Sequence, residues 1–242
     1  GDYILSGKPY LIRENISTLK TKYELSPKQT RSLFHQYGWH KIVGFHTRNV
    51  PHRGHQYIQK MALDQVGADC LFISPVIGLK KKGDFLSDII MDCYKILIKN
   101  DVYKPYSAIL GGFNTYSRYS GPREAVFTAI CRKNYGCSHF IIGRDHTGIS
   151  NYYSPDESQK IFDKLEIGIK LVPFKEIVYD KNNNEYIEYC NDNKNLNICK
   201  LSGTLVRDII SNNLPNNGYL IDDNIYKYLK KQKASNRKIF IH

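Results

Sequence analysis

Lys41-Ile-Val-Gly-Phe45, a loop His46–Pro51, a helical stretch Gly54–Val66 closed by Gly67, then Cys70-Leu-Phe-Ile-Ser74: this run decides the fold. The two short apolar segments have strand character, and the stretch between them has helical periodicity. Strand, loop, helix, strand is a βαβ unit, and such units build a parallel sheet with helices on its faces.

Outward from that unit the pattern repeats. Ahead of it, Ser26 is a helix N-cap with Pro27 at the first helical position, and the helix runs to Tyr37 and stops at Gly38. After it, Leu86–Asn100 reads as a helix and Tyr106–Leu110 as a strand. Pro122–Asn134 is a helix and His139–Gly143 a strand. Pro155–Lys164 is a helix and Ile169–Pro173 a strand. The fold class expected is α/β, a doubly wound, Rossmann-like parallel sheet. Beyond Phe174 the texture changes. Asp180–Asn197 is Asn-rich and reads as a long loop or a loose hairpin. Ser202-Gly-Thr204 opens a helix Leu205–Ser211, and Asp222–Gln232 is the last helix. The chain is expected to divide into 26–174, the main domain, and 175–242, a small C-terminal subdomain.

The 242 residues are 41% hydrophobic and 24% charged, enough to bury the core of one sizeable domain. No apolar run approaches the roughly 20 residues that span a bilayer. The opening GDYILSGKPYLIREN lacks a signal-peptide layout. A soluble, cytoplasmic protein with no membrane partner is expected. Lys and Arg outnumber Asp and Glu by 35 to 23, a net +12 that favours anionic partners. Nucleic acid is disfavoured, because no recognition motif or aromatic stacking platform accompanies the charge. None of the six cysteines forms a CxxC pair, so reduced thiols are expected and a zinc site is not.

Four segments carry chemistry. In Phe45-His-Thr-Arg-Asn-Val-Pro-His-Arg-Gly-His55, His52 and His55 stand three residues apart between a strand end and a helix start. Open α/β sheets bind ligands there, and a helix N-terminus turns free N–H groups toward phosphate. Two imidazoles, the Arg48 fork and a close backbone approach at Gly54 suit charge developing on a phosphorus under attack. In Phe140-Ile-Ile-Gly-Arg-Asp-His-Thr-Gly148, Gly143 ends a strand and Arg144 suits an anion. Asp145 and His146 either orient groups or line a sugar pocket, or Asp145 caps the turn. In Tyr116–Ala125, Arg118 and Arg123 flank a Gly-Pro helix start, where a salt bridge to a carboxylate suits Arg123. Lys80-Lys-Lys-Gly-Asp84 either steers a polyphosphate or is a solvated turn.

Taken in order, HTRNVPHRGH at 46–55, KKKGD at 80–84, RYSGPREA at 118–125, RKNYGCSHFIIGRDHTG at 132–148 and LSGTLVR at 201–207 resemble the ATP sulfurylase (sulfate adenylyltransferase) family. The resemblance is collinear over most of 26–230. It implies an HxxH nucleotidylyltransferase fold and a reaction of sulfate with Mg–ATP that yields adenosine 5′-phosphosulfate and pyrophosphate. His52, His55, Arg48 and Arg144 would then be catalytic. Asn49, Gly54, Gly143, Asp145, His146, Ile177 and Val178 would bind the nucleotide. His46, Thr47, Arg48 and Thr147 would bind the oxyanion. Mg²⁺ would travel with the triphosphate. Residues 1–25 would be the remnant of an N-terminal domain, and the chain a homo-oligomer or part of a larger one.

Three positions depart from the family pattern. His46 stands for Gln, Thr147 for Ala and Val50 for Pro. Two of them touch the oxyanion side. Another acceptor, phosphate or phosphonate, CTP in place of ATP, or an inactive nucleotide-binding regulatory module are the alternatives.

Overall fold

A computed structural model describes residues 23–144, 152–154, 156–190 and 197–241. Ser26 caps α1 (Pro27–Gln36) by accepting the backbone N–H of Gln29, whose side chain returns to the Ser26 N–H. Then follow β1 (Ile42–Thr47), α2 (Arg53–Val66), β2 (Cys70–Pro75), α3 (Ser87–Lys99), β3 (Ala108–Leu110), α4 (Pro122–Tyr135) and β4 (His139–Ile142). α5 (Glu157–Lys160) continues as a 3₁₀ turn, Ile161–Lys164, into β5 (Lys170–Pro173). The expected single helix over 155–164 is thus a short α turn followed by a tighter one.

β1 to β5 form one sheet of order β3-β2-β1-β4-β5 in which every pairing is parallel. The strand order reverses between β1 and β4, the switch point where such sheets receive ligands. Side chains alternate across the sheet. Val43, Phe45, Leu71 and Ile73 face a large core with Ile58 and Ala62 of α2 and Ile89, Ile90, Tyr94 and Leu97 of α3. Ile42, Cys70 and Phe72 face the other side with Phe34 of α1 and Cys137. Burying each such Leu, Ile or Phe contributes about 1.5–3 kcal/mol, so the alternation fixes which side each helix takes.

Of the two readings of the Asn-rich region, a long loop or a loose hairpin, the structure opens with the hairpin and adds a third strand. β6 (Ile177–Asp180) pairs antiparallel with β7 (Glu185–Glu188) on one side and β8 (Ile198–Lys200) on the other. Asp180, fully buried, holds the turn by accepting the Asn182 N–H and the Asn183 side-chain amide. α6 (Gly203–Ser211) and α7 (Asp223–Ala234) follow. Their apolar faces, Val206, Ile210, Ile225 and Leu229, join the same core as α2 and α3. Among the described residues no helix is long and apolar enough to cross a membrane.

Candidate functional site

The turn from β1 into α2 brings seven of the sequence-derived candidates together at the carboxyl edge of the sheet: His46, Thr47, Arg48, Asn49, His52, Gly54 and His55. His46 and Thr47 are the last residues of β1, and Arg48 and Asn49 follow. Thr47 Oγ1 accepts the Asn49 N–H at 3.1 Å, which turns the chain sharply off the strand. His52 is the N-cap of α2. Its Nδ1 accepts the backbone N–H of His55 at 3.3 Å, where a Ser or Asp would usually serve. That bond orients both rings, which stack with centroids 3.8 Å apart and planes 23° apart. The edge of Phe45 backs His55 at 5.3 Å.

Gly54 makes the stacking possible. A Cβ at that position would lie 3.1 Å from His52 Nδ1 and 3.2 Å from Leu201 Cδ1. The C-terminal region therefore closes directly over the imidazole turn. It is also tied there by the Arg53–Asp222 ion pair at 3.3 Å and by the Arg53 N–H on the Leu220 carbonyl.

Electrostatics follow from burial. His52 is 8% exposed, and desolvation lowers its pKa to about 4. Desolvation, and then the neighbouring His52, hold His55 well below the ordinary imidazole value. The His55 Nδ1 atom is buried without a partner. At neutral pH the pair is thus two uncharged rings with N–H groups to offer, seated at a positive helix end.

Around them lie cations. Arg48 donates to the Tyr119 hydroxyl, and its guanidinium carbon sits 4.8 Å from the centre of the Tyr119 ring. Lys81 Nζ lies 3.2 Å from that centre. Lys80 donates to the Arg48 carbonyl at 3.4 Å, and desolvation lowers its pKa to about 8. Arg48, Lys80, Lys81, Asp84, Tyr116 and Tyr119 line a cavity of about 240 Å³. The basic turn is therefore split, with Lys80 half-buried toward Arg48, and Lys81 and Lys82 exposed. Arg207 reaches in from α6. It donates to Asn49 Oδ1 at 3.3 Å and to Thr204 Oγ1 at 2.9 Å, and pairs with Asp84 at 3.8 Å. Ser202 is the N-cap of α6, accepting the Leu205 N–H.

From β4, Gly143 and Arg144 arrive on the other side of the switch point, and Arg144 pairs with Glu176 at 3.0 Å. Asp145, His146 and Thr147 lie outside the described residues. Ile177 and Val178 open β6 with both side chains buried, Ile177 within the main core. Arg123 does not make the expected salt bridge among the described residues. It is exposed, and its neighbour Glu124 turns inward instead, accepting the N–H groups of Arg118 and Ser120. Sequence reasoning missed Tyr119 and Arg132. Tyr119 carried a faint signal, lying between Arg118 and a Gly-Pro helix start. Arg132 carried none, because a polar residue late in a helix reads as solvated.

Imidazoles and guanidinia at the switch point of a 3-2-1-4-5 parallel sheet define a Rossmann-like, nucleotide-binding α/β protein. The model of the ATP-sulfurylase family matches residues 21–232. The chain belongs to the ATP-sulfurylase family. It is 38% identical over 239 residues to the sulfate adenylyltransferase of Pyrococcus abyssi (strain GE5 / Orsay), an alignment covering 95% of this chain and 60% of that protein. It is 40% identical over 223 residues to the sulfate adenylyltransferase of Microcystis aeruginosa (strain NIES-843 / IAM M-2473), covering 87% of this chain and 54% of that one. The chain spans about half the length of the curated relatives it matches. Among solved structures, the hexameric APS kinase from Thiobacillus denitrificans superposes with a TM-score of 0.66 at 18% identity, covering 91% of this chain and 41% of that one. That likeness is one of fold.

Proposed function

We propose that this chain carries the catalytic unit of a sulfate adenylyltransferase working in the cytoplasm. ATP, with its magnesium ion, and sulfate are the substrates; adenosine 5′-phosphosulfate and pyrophosphate are the products. The observation that carries this reading is the His52–His55 pair, two desolvated rings stacked at the N-terminus of α2 beside Arg48. Family membership supplies the acceptor.

In this reading a sulfate oxygen attacks the α-phosphorus in line. The new P–O bond forms as the bond to the β-phosphate oxygen breaks, and pyrophosphate leaves with the electron pair. No side chain need become a nucleophile. The work left to the protein is orientation and charge stabilisation. His52 and His55 donate N–H groups to the phosphates, and being uncharged in the free chain they gain most as negative charge grows. Arg48, with His46, Thr47 and Thr147, holds the sulfate. Arg144 neutralises charge on the phosphates. Asn49, Gly54, Gly143, Asp145 and His146 bind the nucleotide, with Ile177 and Val178 toward the adenine.

The test is pyrophosphate release from Mg–ATP with sulfate, run beside phosphate, a phosphonate, and CTP. Sulfate-dependent release with ATP supports the reading. Release only with another acceptor or nucleotide overturns it in that part, and silence throughout favours a binding module.

A further inference from the structure

Among the described residues the largest fully buried side chain is a charged one. Arg132, on α4, has no exposed surface. Among the described residues the hydrogen-bond partners of its guanidinium all meet Nη2: His46 Nδ1 at 2.8 Å and the Ser74 carbonyl at 3.3 Å. Nε and Nη1 are buried with none. The guanidinium lies over the rings of Phe113, at 4.6 Å, and Tyr135, at 5.6 Å. Among the described residues no carboxylate pairs with it. Room for its stem comes from a bare strand position, since a Cβ on Gly44 would lie 3.2 Å from Arg132 Cβ and Cγ. Buried charges are ordinarily paired, because an isolated one loses its hydration and gains nothing in return. A sequence that keeps a guanidinium here holds positive charge in readiness beneath the end of β1.

That charge fixes the chemistry of His46. A guanidinium has only donors, so the nitrogen that meets it must accept. His46 Nδ1 is therefore unprotonated, and the ring carries its proton on Nε2. The ring is half-buried at the carboxyl end of β1, at the switch point, two residues before Arg48.

Resting on the reading that this edge receives an anionic acceptor, we infer that Arg132 is a positioning residue. It holds His46 as a hydrogen-bond donor, so that His46 and Arg48 present the acceptor with donors only and select a fully ionised oxyanion over one that carries a proton. At the end of β1 a protonated oxyanion brings an O–H that needs an acceptor, but the one lone pair His46 owns is already taken by Arg132, and Thr47 Oγ1 already accepts the Asn49 N–H. Sulfate and selenate meet this requirement at neutral pH; phosphate, partly protonated, does not. An amide at position 46 would act alike, with its carbonyl toward Arg132 and its NH₂ outward. An apolar ring would not.

Two measurements on the whole chain test this. In ¹⁵N NMR of the imidazoles, with His46 assigned by the His46→Gln variant, the expected signature is a bare Nδ1 and a protonated Nε2. A proton on His46 Nδ1 overturns the inference. In pyrophosphate release, Arg132→Met is expected to raise the KM for sulfate about tenfold with the KM for ATP unmoved, and to narrow the preference for sulfate over phosphate by a similar factor. Arg132→Lys restores part of it. His46→Gln keeps the preference whatever its rate, and His46→Phe loses it. An equal rise in both KM values, or a preference untouched in Arg132→Met and His46→Phe, overturns the inference. Should Arg132→Met fail to fold, the His46 pair decides. If the wild-type chain turns over no acceptor, the functional reading fails by itself. Calorimetry with sulfate and phosphate then decides the inference: binding of sulfate over phosphate with the Nε2–H signature upholds it, and equal binding overturns it.

Discussion

The His52 and His55 rings lie face to face, 3.8 Å between centroids, while the Nδ1 of the first accepts the backbone N–H of the second. Two protonated imidazoles at that separation would repel, and burial already disfavours charge on either. The fold therefore stores a requirement that both stay neutral.

Acid should exploit that requirement. Unfolded imidazoles take protons near pH 6.5, and folded His52 takes one only near pH 4. Across that window the unfolded state binds more protons, so stability falls as pH falls. His52 alone contributes about 3 kcal/mol to the difference. Urea unfolding at a series of pH values from 7 to 4 is expected to show the decline, and His52→Gln to flatten much of it. An unchanged slope in His52→Gln would mean the burial of His52 is not the cause.

His55→Ala is expected to abolish turnover, by about 10²–10³-fold or more, with the fold intact. The ring is half-buried and its Nδ1 makes no hydrogen bond, so its loss breaks no structural bond there. A circular dichroism melt like the wild type's, beside lost pyrophosphate release, would agree. Near-normal release would remove the pair from the chemistry.

Much of this was legible from the chain itself. The βαβ stretch from Lys41 to Ser74 is local and strongly patterned, and the HTRNVPHRGH loop follows because the strand before it and the helix after it are fixed. What escaped was set by tertiary contacts. β6 pairs with β7 and β8, strands of four and three residues whose alternation is too short to read as strands within an Asn-rich stretch of sequence. On α4 the buried face sets Glu124, Thr128 and Arg132 beside the small Ala125 and Ala129, polar at every fourth residue, so the usual inference from apolar spacing fails. Glu124 is inside because it holds the N–H groups of the preceding loop, and Arg132 because Gly44 leaves it room.

Lys80 and Lys82 stand two residues apart in one basic turn but in different surroundings. Lys80 reaches the Arg48 carbonyl, and Lys82 is exposed. Lys80→Met is expected to raise the KM for an anionic substrate about tenfold, the weight of a charge-assisted hydrogen bond. Lys82→Ala should change it less than about twofold, as for a screened surface charge. With its pKa lowered to about 8, Lys80 loses its charge at mildly alkaline pH. Wild-type affinity should therefore fall as pH rises through 8, and Lys80→Met should not show that fall. Parallel pH profiles of the two would assign the effect elsewhere.

Gly203 offers a separate handle on the nucleotide side. It is the first residue of α6, and a Cβ there would lie 2.8 Å from Asn49 Cγ. Asn49 is held by its backbone on Thr47, and its side chain is held by Arg207 at 3.3 Å. Gly203→Ala must therefore push the Asn49 amide aside and separate it from Arg207, while the backbone stays. Ala suits a helix better than Gly by up to about 1 kcal/mol, which offsets the lost hydrogen bond. Stability should move by less than about 1 kcal/mol either way, since these two effects oppose each other. Activity has no such compensation, and the KM for ATP should rise about tenfold with the loss of one oriented donor. A thermal melt beside steady-state kinetics separates the two. A large loss of stability would mean the backbone, not the amide, had moved, and an unchanged KM for ATP would place Asn49 outside the nucleotide site.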